Sequence, residues 1–315
     1  PDWQVVSALV EPARLRAAAR RCNPSRGEPR GALATAVVRL LVESDWCQVV
    51  CDALRMACAQ GEVPAEWVTG SMFGLAKPGR HGPSGFRLIH LVLGSAKMLA
   101  NLLLATIGSK VAPAGPEQFG FCPGRSTADA ITVKDLGFRR SRRARAGFVV
   151  LSLDIREAFP TLSHDAMHAA CLEWEEPARS AGLLLVRLAQ EGIIQFRCHG
   201  ETRRYHLVAG ARQGDAAGPF LFRVCFERVL RDFQTRWDAL VPEGTIPPRM
   251  APMALDLPEL DPRAPQALIT HWESQESARG DVVAYADDVD AQLLAPPGQG
   301  AEALVASCHR LVACF

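Results

Sequence analysis

A mixed α+β fold is predicted by three features of the 315-residue sequence. Stretches with apolar residues at helical spacing alternate with short β-branched runs. Two of those runs border carboxylates, at Asp154 and at Asp287-Asp288. The alternation is uneven and no segment repeats, unlike the regular strand–helix–strand order of a doubly wound sheet.

In chain order, residues 33–59 have helical periodicity and stop at Gly61. Gly61-Glu-Val-Pro-Ala-Glu-Trp67 breaks the pattern, and residues 70–90, rich in Gly, Pro and bases, read as a hairpin or loop. A helix is predicted from about Leu91 to Lys110. Another starts near Ser126, with Ser126 and Asp129 at N-cap and N3 as in a capping box, and runs into Arg139, Arg140, Arg142, Arg143 and Arg145. Gly147-Phe-Val-Val-Leu-Ser-Leu-Asp154 is expected to be a buried strand ending on a carboxylate. Residues 164–176 read as helix, and Ile193–Cys198 with Arg204–Val208 as a hairpin about His199-Gly200-Glu201. Phe220–Leu240 has an amphipathic helical pattern. Seven prolines fall within residues 242–265, so about 240–280 reads as an inserted loop. Asp281–Ala284 and Val289–Leu294 read as short strands around Tyr285-Ala-Asp-Asp288, and a last helix starts at Ala301.

With 48% hydrophobic and 22% charged residues the composition is that of a globular protein of about two domains. It excludes a disordered tail, a collagen-like repeat and a coiled-coil rod. The longest near-apolar run, Met98–Ile107, is ten residues and includes Asn101; a membrane span needs roughly 20. No membrane partner is therefore expected. The chain opens on Pro1-Asp2-Trp3 without an initiator Met and reads as a fragment or processed product. Its basic start (Arg14, Arg16, Arg20, Arg21) lacks a secretory apolar core, and Asp2 and Glu11 are foreign to a transit peptide. Cys47, Cys51 and Cys58 cluster in an apolar helical segment with no histidine nearby, so reduced thiols are expected there rather than zinc or disulfides. These features predict an intracellular protein, in nucleus, cytoplasm or both. The net charge of +1 hides an asymmetry: residues 1–150 carry 20 bases against 11 acids, and residues 151–315 carry 15 against 23. A basic half joined to an acidic half suits a protein that holds a polyanion on one side and cations on the other.

Three acids carry the chemistry. Carboxylates at strand ends are costly unless a cation neutralises them, and hard oxygen ligands suit Mg²⁺, which keeps waters and leaves room for substrate phosphates. Two such ions about 3.5–4 Å apart serve a phosphoryl transfer.

From here the sequence resembles the reverse transcriptase domain of non-LTR (LINE-type) retrotransposons, over roughly residues 60–295. The likeness is an ordered series of motifs. Gly61–Trp67 and Leu75-Ala-Lys-Pro-Gly79 look like the family's entry into the fingers. Phe86-Arg87-Leu-Ile-His-Leu91, followed by Lys97, resembles its Arg-Pro-Ile-Ser-Leu segment. Gln118-Phe-Gly-Phe-Cys-Pro-Gly-Arg-Ser-Thr127 is close to its Gln-x-Gly-Phe-x-x-Gly-Arg-Ser block. Leu153-Asp154-Ile-Arg-Glu-Ala-Phe159 looks like the first catalytic motif, Gly210–Phe222 the second, and Tyr285-Ala-Asp-Asp288 the third.

The resemblance implies a polymerase palm-and-fingers fold: a helical N-terminal extension (1–69), fingers (70–146) and a partial palm (147–315) whose antiparallel sheet is backed by helices, with the thumb missing. It implies RNA-directed DNA polymerase activity on an RNA template and DNA primer, consuming dNTPs and using two Mg²⁺ ions, with Mn²⁺ as a substitute. Asp154 and Asp287 would hold the metals with Asp288 beside them. Phe159 would exclude a ribose 2′-OH, Gln213 and Gly214 would lie under the template–nucleotide pair, and Arg87 with Lys77 would hold the triphosphate. Departures from the family pattern are Leu88 after Arg87, Pro160 after Phe159, and Ala216-Ala-Gly-Pro219 in the second motif.

The alternative reading is a catalytically inactive, degenerate relative that at most binds RNA. Other rivals are weaker. His164-Asp-Ala-Met-His168 has the spacing of a zinc-protease signature, but Asp165 replaces the base and no third ligand follows. The arginine run 139–145 fits either a polyanion contact or a solvated helix end. A nucleotide cyclase or RNA-templated RNA polymerase would share the acids; the Gln-Gly pair, the gate aromatic and Ala286 before the acids favour DNA synthesis by resemblance.

Overall fold

The computed structural model describes the chain except for residues 26, 30, 83–84, 112–113, 156, 199–200, 213, 243–246, 248–280 and 296–300. The expected insertion at about 240–280 and the predicted site residue Gln213 thus lie outside the described residues, apart from 240–242 and 247 at the insertion's edge. The chain divides into two compact units. One comprises residues 1–112 with 157–222, the other 113–156 with 223–315.

The first unit begins with helices the sequence pattern left unassigned within its helical extension: α1 (Trp3–Leu9) and α2 (Pro12–Arg21). Asp2 caps α1 by accepting from Gln4 and Val5 N–H. The single helix expected over 33–59 is two, α3 (Thr35–Glu43) and α4 (Cys47–Ala59). The break has a local cause: the Ser44 hydroxyl accepts from the Trp46 N–H at 3.2 Å, a side-chain bond that competes with helix continuation. After α5 (Ala65–Val68), the predicted hairpin is β1 (Thr69–Ala76) and β2 (Phe86–Leu91), and α6 (Gly94–Gly108) follows. α6 is apolar on nearly every side, with Met98, Leu99, Leu102, Leu103 and Ile107 fully buried between α2 and a later helix, α10 (Ala178–Gln190).

The second unit supplies α7 (Thr127–Ala144), whose start has both bonds of the Ser126–Asp129 capping box. Its strand β3 (Phe148–Asp154) is not the buried strand expected. Burial alternates, and Val150, Ser152 and Asp154 are exposed, because they lie on one face of an edge strand. The chain re-enters the first unit with α8 (Ala158–Thr161), α9 (His164–Leu172), α10, β4 (Ile193–Cys198) and β5 (Glu201–His206). β5 starts three residues earlier than expected; its charged residues Glu201 and Arg203 suit the exposed edge strand it forms. α11 (Ala217–Leu240) leads back to the second unit, which ends with β6 (Val282–Tyr285), β7 (Asp288–Leu294) and α12 (Ala301–Cys314).

Each unit holds one sheet. The first has strand order β2-β1-β4-β5 and is mixed, since β1 pairs in parallel with β4. The second is antiparallel with order β3-β7-β6. The fold is α+β, as predicted. No helix among the described residues is long and apolar enough to cross a membrane. Among the described residues the cysteines are free thiols and mostly buried. In α4, burial and the neighbouring Cys47 push the Cys51 thiol up to about 11, which makes it a poor metal ligand.

Gly137 of α7 faces β7, where an added Cβ would collide with the buried Gln292 carboxamide and lie 3.1 Å from its Cδ. Helix propensity favours Gly→Ala by about 1 kcal/mol, whereas overpacking costs about 1–3 kcal/mol. The collision with a buried amide wins, so Gly137→Ala is expected to lower the melting temperature; thermal unfolding followed by circular dichroism measures it.

Candidate active site

The second unit's sheet sets the acids. Residues directly opposed in antiparallel strands share a face, and β3 and β7 align Asp154 with Asp288, Ser152 with Asp290 and Val150 with Gln292. The opposite face of the same strands is apolar, with Leu153 on Val289 and Leu151 on Ala291. The alternation that buries this core therefore turns three carboxylates to one face. Tyr285 pairs with Asp288, leaving Ala286 and Asp287 as a two-residue turn. Asp154 and Asp287, 133 positions apart, thus meet at one end of the sheet, with Asp288 rather than Asp287 directly across from Asp154.

The acids repel one another. The Asp288 carboxyl is held above the usual carboxylate range, first by partial desolvation and then by Asp287, Asp154 and Asp290, with Lys134 opposing. Asp290 is a member the motif reading missed. Its signal was available: two residues from Asp288 in a strand means the same face. Asp290 pairs with Lys134 of α7 and accepts from the Ser152 hydroxyl, so it is already neutralised.

The turn itself is backed by the Gln118 segment. Ala286 has φ +59° and Gly120 lies directly beneath it; a Cβ on Gly120 would come within 2.7 Å of Ala286 Cα. A non-glycine residue in this backbone region costs on the order of 1–3 kcal/mol. Gln118 is wholly buried, and its amide bonds both Gly120 and Ala286.

The first unit gathers the other predicted residues. Arg87 lies opposite Leu75 in the β1–β2 pair, and the Lys77 N–H continues the ladder to Gly85 O at 2.7 Å. Lys77 is two residues beyond Leu75, so both cations share one face at the hairpin's end. Gly214 has φ +102° and presses on β2: a Cβ there would lie 2.7 Å from His90 O and 3.1 Å from Ile89 Cγ2. Phe159, in α8, stacks on Phe222 with centroids 5.1 Å apart, and its carbonyl accepts from Ala211 N–H.

The second-motif segment thus touches both the Arg87 hairpin and Phe159. It is anchored by Arg212, a residue sequence reasoning passed over. Its buried guanidinium donates to the Trp67 and Val68 carbonyls at 3.3 and 2.9 Å and to Asp215 at 2.8 Å. His164 Nε2 lies 2.9 Å from Gly210 O, so this imidazole braces the same segment. Among the described residues no group of three or more His, Cys, Asp or Glu forms a ready-made metal cage, around His164 and His168 or elsewhere.

Residues 75–290 match the family described as reverse transcriptase (RNA-dependent DNA polymerase). Over 184 residues the chain is 24% identical to the retrovirus-related Pol polyprotein from type-1 retrotransposable element R2 of Popillia japonica, covering 58% of this chain and 26% of that protein. Over 159 residues it is 26% identical to the retrovirus-related Pol polyprotein from type-2 retrotransposable element R2DM of Drosophila melanogaster, covering 50% of this chain and 15% of that protein. The chain spans about a quarter or less of the length of these relatives. Apo telomerase from Candida tropicalis, truncated from its C-terminal domain, aligns with a TM-score of 0.47 at 11% identity, over 91% of this chain and 54% of that one. The family match takes in more than two thirds of the sequence, including Lys77, Arg87, Asp154, Phe159, Gly214, Asp287 and Asp288, and bears out the resemblance read from the motif series. The chain belongs to the reverse transcriptase (RNA-dependent DNA polymerase) family.

Proposed function

We propose that this chain is the polymerase centre of a retrotransposon reverse transcriptase: it copies an RNA template into DNA by joining dNTPs to a primer 3′-OH. The observation that carries the proposal is the register that sets Asp154 against Asp288 with Asp287 in the adjoining turn. A degenerate relative with no catalysis has no reason to keep these like charges together.

Divalent metal ions are general to the family, and the acids fit Mg²⁺. They are hard oxygen donors, crowded enough to raise one carboxyl. Such a site suits an ion that keeps waters and completes its shell with phosphate. Two Mg²⁺ ions, or Mn²⁺ in their place, would when bound activate the attacking oxygen and stabilise the leaving one. In this reading Asp154 and Asp287 would hold the ions, with Asp288 adding charge beside them. Lys134 keeps Asp290 out of the ligand set. Arg87 grips the triphosphate with its forked guanidinium, helped by Lys77 on the same hairpin face. Gly214, and Gln213 outside the described residues, support the template–nucleotide pair. The Phe159 ring fills the volume of a 2′-OH. RNA template, DNA primer and dNTPs are the partners.

Primer extension on an RNA template with Mg²⁺ tests the activity, and Asp287→Asn is expected to abolish it. By calorimetry the same variant should bind Mn²⁺ at least about tenfold more weakly, since a neutral amide no longer offsets the cation. Equal affinity in the two proteins would remove Asp287 from the site.

Asp288 gives a stability prediction of definite sign. Its folded-state carboxyl titrates above its unfolded value, so its contribution to stability is present at low pH and lost as pH rises through the folded value. Without divalent ions, Asp288→Asn should therefore melt higher than wild type at pH 7–8, with the gain fading as pH falls through the folded value and gone below about pH 4. Added Mn²⁺ should raise the wild-type melting temperature more than the variant's.

The gate is tested with competing sugars. An apolar ring cannot hydrogen-bond the 2′-OH, and leaving that group unsatisfied costs about 1–3 kcal/mol, or roughly ten- to a hundredfold selectivity for dNTPs. Phe159→Val should raise ribonucleotide incorporation with a smaller effect on dNTP use. Unchanged sugar selectivity would reduce Phe159 to a packing partner of Phe222.

A further inference from the structure

The Gln118–Thr127 block is a motif to which neither composition nor the proposed chemistry gives a task. We infer that Gln118 is a positioning residue for the carboxylate turn: its amide fixes the backbone of Ala286 and thereby aims Asp287 and Asp288. The consequence for metal binding rests on the function proposed above; the effect on the turn does not.

The geometry is specific. The segment docks along the outer edge of β6, with Phe119 N–H donating to Ala284 O and Ala284 N–H to Glu117 O, both at 2.7 Å. This pairing sets Gln118 alongside Ala284, two residues before the turn's first position. The side chain is fully buried, and its Oε1 accepts from Gly120 N–H at 2.8 Å and Ala286 N–H at 3.3 Å. Its Nε2 donates to Ala286 O at 3.5 Å. One carboxamide thus meets both backbone polar groups of the residue at positive φ.

Few side chains can do this. The task needs an acceptor and a donor on one planar group at the reach of a two-methylene stem. Glu offers no donor when ionised, Met offers neither, and Asn is one methylene short. The first position of a two-residue hairpin turn with positive φ favours glycine. With Ala286 there instead, an external clamp has a conformation to hold.

The clamp is itself held. The Arg125 guanidinium donates to the carbonyls of Ala114, Gly115 and Gln118 and lies 6.0 Å from the Phe119 ring centroid. Gly120 is the other requirement, because the backbone of Tyr285 and Ala286 crosses where its side chain would be. Gln, Gly and Arg of the block thus form one device whose output is the direction of the two acids.

The test uses Gln118→Met, which keeps stem length and volume but removes both hydrogen-bonding groups. Amide hydrogen exchange in metal-free protein is read at residues 286–288 and, as control, at 149–153 and 291–293. The expected result is exchange at least about tenfold faster in the turn with the control segments unchanged, which a general loss of core stability would not produce. Mn²⁺ affinity by calorimetry should fall about ten- to a hundredfold, as for residues that orient metal ligands. If Gln118→Met does not fold, Gln118→Asn decides, since it keeps the amide but draws it back from Ala286; the same local change is expected. Unaltered turn exchange in a folded variant, or equal acceleration across β3, β6 and β7, overturns the inference. If wild type binds no Mn²⁺, the metal reading fails while the exchange data still decide the role of Gln118.

Discussion

Everything at the candidate site follows from like-charge repulsion confined to the end of a small sheet. Directly opposed residues in an antiparallel pair are about 5 Å apart. Two unit charges at that separation repel by about 0.8 kcal/mol in bulk water and by about 3 kcal/mol at the effective dielectric of a protein surface. Asp154 and Asp288 are opposed in this way, Asp287 adjoins them in the turn, Asp290 lies two residues along the same strand face, and Lys134 offsets one of the four. The remaining excess charge is tolerated because the opposite face of the same strands is dry. Val282, Ala284, Val289, Ala291 and Leu293 are all nearly or wholly buried. The hydrophobic side of the sheet supplies the stability that the acidic side consumes.

Backbone constraint is the second theme, and it is met by buried polar side chains rather than by glycine alone. Arg212 in the first unit and Gln118 in the second each place a polar group in the interior and bond it to main-chain atoms, those of Trp67 and Val68 for Arg212 and those of the carboxylate turn for Gln118. A buried polar group that loses its partners is expensive, so each such residue tolerates little movement of the loop it holds. This is a stiffer restraint than apolar contact, which is nearly indifferent to direction.

Much of this was legible in the sequence, for identifiable reasons. Ser126 and Asp129 announced the start of α7 through a bond pattern set by residues three apart, and Tyr285-Ala-Asp-Asp288 between β-branched runs announced a hairpin. Asp154 and Asp287 were legible as partners only through motif order, because nothing local fixes the pairing of strands 133 residues apart. What escaped was tertiary. β3 reads as buried because Val149, Val150 and Leu151 are apolar, yet Val150 faces outward. The break at Ser44 depends on one hydroxyl choosing its neighbour's N–H over water. Arg212 was passed over, because only the carbonyls of Trp67 and Val68, far away in sequence, make it an interior anchor.

The β3–β7 register also decides which sequence changes the acids can survive. Side chains alternate with a period of two, so loss or gain of a single codon within residues 148–153 rotates the strand by half a turn relative to its neighbour. Asp154 would then point into the apolar layer or fall out of line with Asp288, although every remaining residue is unchanged. Conservative replacements along the same stretch leave the alignment intact. Single-residue deletions should therefore disturb the acids far more than conservative replacements of equal extent, and a variant that keeps the spacing from Phe148 to Asp154 retains the geometry on which its acids depend.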